Sequence, residues 1–181
     1  MKLEQSYKII VAVGENNEIG DGEDLLWHLP ADMNFFKENT QGADVIMGRK
    51  TYDSIPKRFR PLPNRTNIVI TRNTDYVAEE GVYLCHSIKD AFEIAENCNT
   101  TEKFIIGGGS IYNTTLPYAE ELYVTKVHQK FPDANTFFPE IDPEIWEETW
   151  REDHQKDEKN IFAYSFVKYK RKRLFVNDIK I

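Results

Sequence analysis

The chain has 181 residues, 40% of them hydrophobic and 29% charged, with a formal net charge of −7. That composition fits one globular domain and excludes disordered and fibrous classes. The acidic balance argues against nucleic-acid binding through phosphate neutralisation, and no stretch nears the roughly 20 apolar residues of a bilayer-spanning helix. Residues 1–8 lack the apolar middle of a secretory signal, which predicts a cytoplasmic location.

From the amino end, residues 7–13 form an almost continuous apolar, β-branched run. Such a run suits a strand covered on both faces, the habit of parallel sheets, and residues 45–47, 68–70 and 104–106 repeat it. The stretch 14–24 holds Gly14, Gly20 and Gly22 among polar residues, as a glycine-rich turn does, or a loop able to change conformation over a site. Trp27 follows, either a core tryptophan or the cover of a pocket. Pro30 opens a predicted helix over 31–39, with Leu29, Met33 and Phe36 on its apolar stripe. Asp32 falls on that same side, whereas Lys37 and Glu38 take the solvent side. Two readings of Asp32 stay open. It is an acid in the first helical turn favoured by the helix dipole, or a carboxylate on an apolar face that needs a partner, such as a ligand presenting adjacent N–H groups.

Gly48, Arg49, Lys50 and Thr51 leave the second strand and enter a short helix, so N–H groups, a guanidinium and a hydroxyl converge as an anion site requires. Thr71 and Arg72 end the next strand in the same way. Each alone also fits a plain strand exit with a surface arginine. Two in one sheet point to a dinucleotide bearing several phosphates, held beyond the carboxyl ends of parallel strands. Ser87, three residues before Asp90, predicts a capped helix over 87–96. Gly107, Gly108 and Gly109 precede a shorter helix over 111–116; three glycines admit a close-lying ligand or make an ordinary turn, and their spacing is not the Rossmann fingerprint.

Residues 122–127 and 161–169 read as strands with no helix between them, an antiparallel hairpin closing one sheet edge. The predicted fold class is therefore α/β, a central mixed and mostly parallel sheet with helices on both faces and a C-terminal antiparallel hairpin. It forms one domain over residues 1–173, and 174–181 is an appended tail. The basic run Lys168, Lys170, Arg171, Lys172 and Arg173 reads as a solvated strand end. Cys85 and Cys98 read as free thiols, and His28, His86, His128 and His154 are too scattered to pair on a metal, so no metal site is expected.

Taken together, these motifs resemble the dihydrofolate reductase family over about residues 7–169. The likeness rests on Ile19 with Gly20, the segment 27–32, the run Val45, Ile46, Met47, Gly48 and Arg49 with Thr51, then Pro61, Leu62 and Pro63 with Arg65, and 106–109 with Tyr112. It implies NADPH-dependent reduction of 7,8-dihydrofolate to 5,6,7,8-tetrahydrofolate, by hydride transfer to C6 and protonation at N5, supplying one-carbon and thymidylate metabolism. It also implies a cytoplasmic monomer that binds antifolate inhibitors and has no nucleic-acid or membrane partner.

The same resemblance assigns residues. Asp32, Trp27 and Leu25 would form the catalytic set, with Asp32 holding the 2-amino and N3 groups of the pterin and Thr125 assisting. Ile10, Ala12, Met33, Phe36, Ile55, Leu62, Ile106 and Tyr112 would line the substrate cleft, and Arg65 would bind the glutamate carboxylate. Ala12, Ile19, Gly20 and Ile106 would border the nicotinamide. Gly108, Gly109, Ser110, Ile111 and Tyr112 would lie against its ribose and the pyrophosphate. Gly48, Arg49, Lys50 and Thr51 would bind phosphates, and Thr71 with Arg72 the adenosine 2′-phosphate, which favours NADPH over NADH. The chain departs from the common pattern at Leu25 and Leu26, at Asn135 and in the longer loop 56–60. A reductase of the same fold acting on a pyrimidine intermediate of riboflavin synthesis would not need a helix carboxylate after the tryptophan, nor Arg65. A binding protein without turnover would keep the pocket and lose the hydride transfer.

Overall fold

A computed structural model describes residues 6–20 and 27–173. Among them the elements run β1 (Tyr7–Val13), β2 (Glu18–Gly20), α1 (Pro30–Thr40), β3 (Asp44–Gly48), α2 (Arg49–Ser54), β4 (Thr66–Ile70), β5 (Val82–Cys85) and α3 (Ile88–Glu96). There follow β6 (Lys103–Gly107), α4 (Gly109–Thr115), β7 (Ala119–Val127), β8 (Thr136–Phe137), β9 (Trp146–His154) and β10 (Tyr164–Arg171). Proline occupies the first turn of α1, where a missing N–H costs nothing. Ser87 caps α3 by accepting from the Asp90 N–H at 3.1 Å, as its spacing predicts.

Eight strands form one sheet in the order β5, β4, β3, β6, β1, β7, β10, β9. The pairs from β5 to β7 are parallel, and β10 runs against both its neighbours. Parallel central strands must be buried on both faces, and β1 shows how its apolar run serves that. Ile9, Val11 and Val13 pack with Phe92 of α3 and Tyr112 of α4 on one face. Ile10 packs with Phe35 of α1 and Tyr52 of α2 on the other.

The C-terminal hairpin is present, but its geometry corrects the sequence expectation in one respect. The strand expected over 161–169 begins at Tyr164 and is not the edge; it lies between β7 and β9. Strand β9 is the edge and was not expected, because Glu147, Glu148, Arg151, Glu152 and Asp153 are exposed and leave no apolar alternation to read. Those charges suit an edge that must not recruit another chain. The basic run is also more than a solvated strand end. Lys168 Nζ stands 4.4 Å from the Tyr123 ring centroid, and the Arg171 guanidinium 4.4 Å from that of Trp146 while donating to the Ala119 and Leu116 carbonyls.

At the amino ends of β3 and β6, Asp44 and Lys103 make an ion pair of 2.7 Å with both side chains 0% exposed. Lys103 Nζ donates further to the carbonyls of Ala95 and Thr100, so the pair ties two strands to the end of α3. The opposite ends of the parallel strands, Gly48, Ile70, Cys85 and Gly107, all open on one rim. In such sheets that rim is where ligands bind.

Candidate active site

The rim carries a cleft of about 1430 Å³, lined by four strand exits. They are 48–51, 71–73, 86–88 and 107–112, joined by Val11 and Ala12 from β1 and by Ile19 and Gly20 from β2. Arg49, Lys50, Arg72 and His86 lie on it, and no carboxylate does among the described residues. In a chain of net charge −7, an acid-free cleft bearing three permanent cations is a focused positive field for an anion. Helices α2 and α4 both begin on it, and neither has a side-chain cap, so their first N–H groups stay open to a ligand.

Two glycines shape this wall. Gly107 has φ +120°, which L side chains rarely adopt, and a Cβ there would meet the Tyr112 hydroxyl at 3.2 Å. At Gly109 a Cβ would stand 2.6 Å from Thr136 Cγ2, so any side chain would push β8 away from the cleft. Tyr112 is held from below, its hydroxyl donating to the Ile10 carbonyl at 2.8 Å. Ile106, Gly108, Ser110 and Ile111 complete the wall.

The acid lies on α1, outside the lining of the cleft. Thr125 Oγ1, on β7, donates to Asp32 Oδ1 at 2.6 Å, and among the described residues no cation pairs with this carboxylate. Burial raises its pKa from 3.8 to about 6 against the lowering pull of the Thr125 bond. Burial, with the Asp32 charge added, also raises the Tyr112 phenol, which keeps it a donor. Of the two readings of Asp32, the inward one holds. Trp27 lines the cleft and is buried against Phe131 at 4.8 Å between ring centroids, so it is both core residue and cover. Its Nε1–H is buried with no partner among the described residues, a donor waiting for an acceptor.

The other predicted residues fall beside this acid in one apolar cluster. Ile10 is buried in it, and Ala12, Phe36, Ile55, Leu62 and Ile106 pack against it. Met33 departs from the expected stripe. It is 51% exposed, so α1 turns that position to solvent rather than to the core. Arg65 lies with its guanidinium 5.7 Å from the Phe36 ring centroid and touches Gln41 at 3.4 Å, while Nε is buried without a partner. Burial lowers its pKa, the mark of a cation that gains from an incoming carboxylate. Leu25 lies outside the described residues, as do the rest of 21–26 and the tail 174–181.

Several positions on the cleft or supporting its surroundings escaped the sequence reading. His86 and Asn73 join Thr71 and Arg72 on the cleft; His86 Nδ1 is 2.8 Å from the Thr71 carbonyl, and the buried Thr71 hydroxyl accepts from the Asn73 N–H. They went unread because β5, only four residues long, was not recognised as a strand with an exit of its own. Asn67 is buried and bonds Leu62 twice and Arg65 once, fixing the turn that carries Arg65. Glu18, the first residue of β2, is buried. Burial would raise its pKa, but N–H bonds from Phe131 and Asn16 outweigh this and hold it low. Asn135, at one of the departures from pattern, donates its backbone N–H to the Gly20 carbonyl where β2 pairs with β8.

Comparison with known proteins agrees with this geometry. The family model described as Dihydrofolate reductase matches residues 6–171. The dihydrofolate reductase of Bacillus subtilis is 43% identical over 164 residues, covering 90% of this chain and 93% of that protein. The type 3 dihydrofolate reductase of Salmonella typhimurium is 41% identical, covering 91% and 98%. Among solved structures, dihydrofolate reductase from Enterococcus faecalis complexed with NADP(H) and RAB-propyl superimposes with a TM-score of 0.84 at 37% identity, covering 96% of this chain and all of that one.

Proposed function

The chain belongs to the dihydrofolate reductase family, and from that premise we propose how its residues divide the work of the reaction. It is an NADPH-dependent oxidoreductase that reduces 7,8-dihydrofolate to 5,6,7,8-tetrahydrofolate. The observation that carries the division of labour is the cation-free, partly buried Asp32 bonded to Thr125, in a chain whose cleft is basic and acid-free.

Asp32 accepts hydrogen bonds from the 2-amino and N3 groups of the pterin, with Thr125 orienting the carboxylate. Two adjacent N–H donors are the pairing that a desolvated carboxylate lacks. By holding negative charge near the ring, Asp32 favours the proton at N5, which leaves C6 electron-poor. Trp27 excludes water above this acid. The pterin and its side chain run past Ile10, Phe36, Ile55 and Leu62 toward Arg65, whose guanidinium, with its buried and unpartnered Nε, receives the glutamate carboxylate. Antifolate inhibitors with paired N–H groups compete for the same acid.

The basic cleft fits NADPH, which when bound supplies the hydride to C6. Arg49, Lys50 and Thr51 with the start of α2 hold phosphate, and Gly108 and Gly109 let the backbone approach the cofactor. Ala12, Ile19 and Gly20 border its reactive end, and Thr71 and Arg72 take the 2′-phosphate. The protein works as a cytoplasmic monomer with one catalytic domain over 1–173. The single large sheet supports the one domain, and no described helix is long and apolar enough to cross a membrane.

The test is loss of reduced-nicotinamide absorbance on adding dihydrofolate, run with NADPH and with NADH. The wild type prefers NADPH. Arg72→Ala shrinks that preference by about tenfold, as expected for one charge-assisted phosphate contact of about 1.5 kcal/mol. An unchanged ratio removes Arg72 from the 2′-phosphate.

A further inference from the structure

Outside the cleft, on the far side of α2, Asp53 is shared by three groups. Arg49 Nη1 donates to Asp53 Oδ2 at 3.0 Å, Tyr76 Oη donates to Oδ1 at 2.6 Å, and Arg60 Nη1 stands 3.7 Å from Oδ1. Asp53 does not line the cleft, whereas Arg49 does. The Tyr76 ring lies 5.8 Å from the Arg49 guanidinium carbon, so one guanidinium is fixed by a carboxylate at one nitrogen and an aromatic ring at its side.

The order of the pair decides what it is for. An ion pair that stabilises a helix places the acid toward the amino end and the base four residues later, with the macrodipole. Here the cation is the first residue of a six-residue helix and the acid is the fifth, against the dipole. Helix stability therefore gains little from it. What the pair does is hold Arg49 at the mouth of α2, taking Nη1 and no other guanidinium nitrogen among the described residues. The Nε and Nη2 edge is left to meet an anion. The Tyr76 phenol, pushed up to about 12 by burial and then by its bond to Asp53, stays a donor across the working range and keeps the carboxylate turned. Arg60 is itself committed elsewhere, to Glu79 at 2.9 Å and to the carbonyls of Tyr52 and Asp53, so it does not draw Asp53 away.

We propose that Asp53, braced by Tyr76, is a positioning residue that presets the Arg49 guanidinium for the cofactor phosphate. This rests on the reading of the basic cleft as the NADPH site. A preset guanidinium loses less freedom when phosphate arrives, and the gain appears as affinity.

The experiment is a double-mutant cycle on NADPH binding by equilibrium fluorescence at about 10 mM salt, where an exposed pair is least screened. Asp53→Asn keeps the shape and the acceptor for Tyr76 but removes the ion pair. It is expected to raise the NADPH Kd about two- to fivefold, to raise KM for NADPH equally, and to leave kcat at saturation where it was. Tyr76→Phe, which spares Asp53, moves Kd the same way by less. In an Arg49→Gln background the Asp53→Asn effect disappears. An unchanged or tighter Kd for Asp53→Asn in the otherwise wild-type chain overturns the proposal, and so does an equal loss in both backgrounds, which would mean general damage. A wild type that fails to bind NADPH overturns the reading of the cleft and this proposal with it; binding by wild type and Asp53→Asn alike overturns the proposal alone.

Discussion

Asp32→Asn is expected to slow the reduction of dihydrofolate about 10²- to 10⁴-fold while making the ligand-free protein more stable. The first effect follows from losing the charge that favours the proton at N5. The second follows from linkage. The folded carboxyl titrates near 6, above its ordinary 3.8, so folding favours the neutral form. The stability this contributes is fully present below about pH 4 and is lost as pH rises through about 6. At pH 7 the ionised acid costs about 1–3 kcal/mol, which asparagine avoids while still accepting from Thr125. Denaturant unfolding at pH 7 should show the variant ahead, with the gap closing at pH 4. An acid kept only for the helix dipole behaves oppositely, since its removal would cost about 0.3–1 kcal/mol. Lower activity with higher stability is thus the signature of a group held at a cost for chemistry.

Lys103→Met gives the contrasting result, a large loss of stability with chemistry preserved. Removing one partner of a buried pair strands the other charge, at a cost of about 3–5 kcal/mol. For a chain of this size that lowers Tm by about 6–20 °C. The Asp44–Lys103 pair is wholly buried at the amino ends of β3 and β6, opposite the strand exits that form the cleft. The hydride-transfer rate at low temperature should therefore match the wild type. Replacing Asp44 by leucine in the same chain should recover most of the lost stability, because a neutral apolar pair leaves no orphaned charge. A thermal shift under 2 °C for the single variant would contradict the burial of the pair.

Much of this architecture could be read from residue order because the parallel strands advertise themselves. A strand buried on both faces needs an unbroken apolar run, and β1, β3, β4 and β6 have one. The same physics hides β9, whose exposed charges protect a free edge, and β5, a strand too short to carry a pattern. With β5 went His86 and Asn73 at its exit. Spacing on α1 turned Asp32 toward Thr125, yet it placed Met33 inward too, because a helical wheel does not show where the neighbouring elements stop covering the helix. Asp53 was illegible for another reason. Two of its three partners come from loops, and no local pattern forecasts that Tyr76 and Arg60 converge on the carboxylate that Arg49 meets within α2.

The central claim is that Asp32 governs the proton requirement of the hydride step. The direct measurement is the single-turnover hydride-transfer rate across pH 5 to 9, with deuterated NADPH to show that chemistry is being timed. The rate should be highest in acid and fall with rising pH through one apparent pKa of the ternary complex, about tenfold per pH unit beyond it, and Asp32→Asn should lower the rate and displace that pKa. A wild-type rate that stays flat over that range while retaining its full isotope effect would contradict the claim.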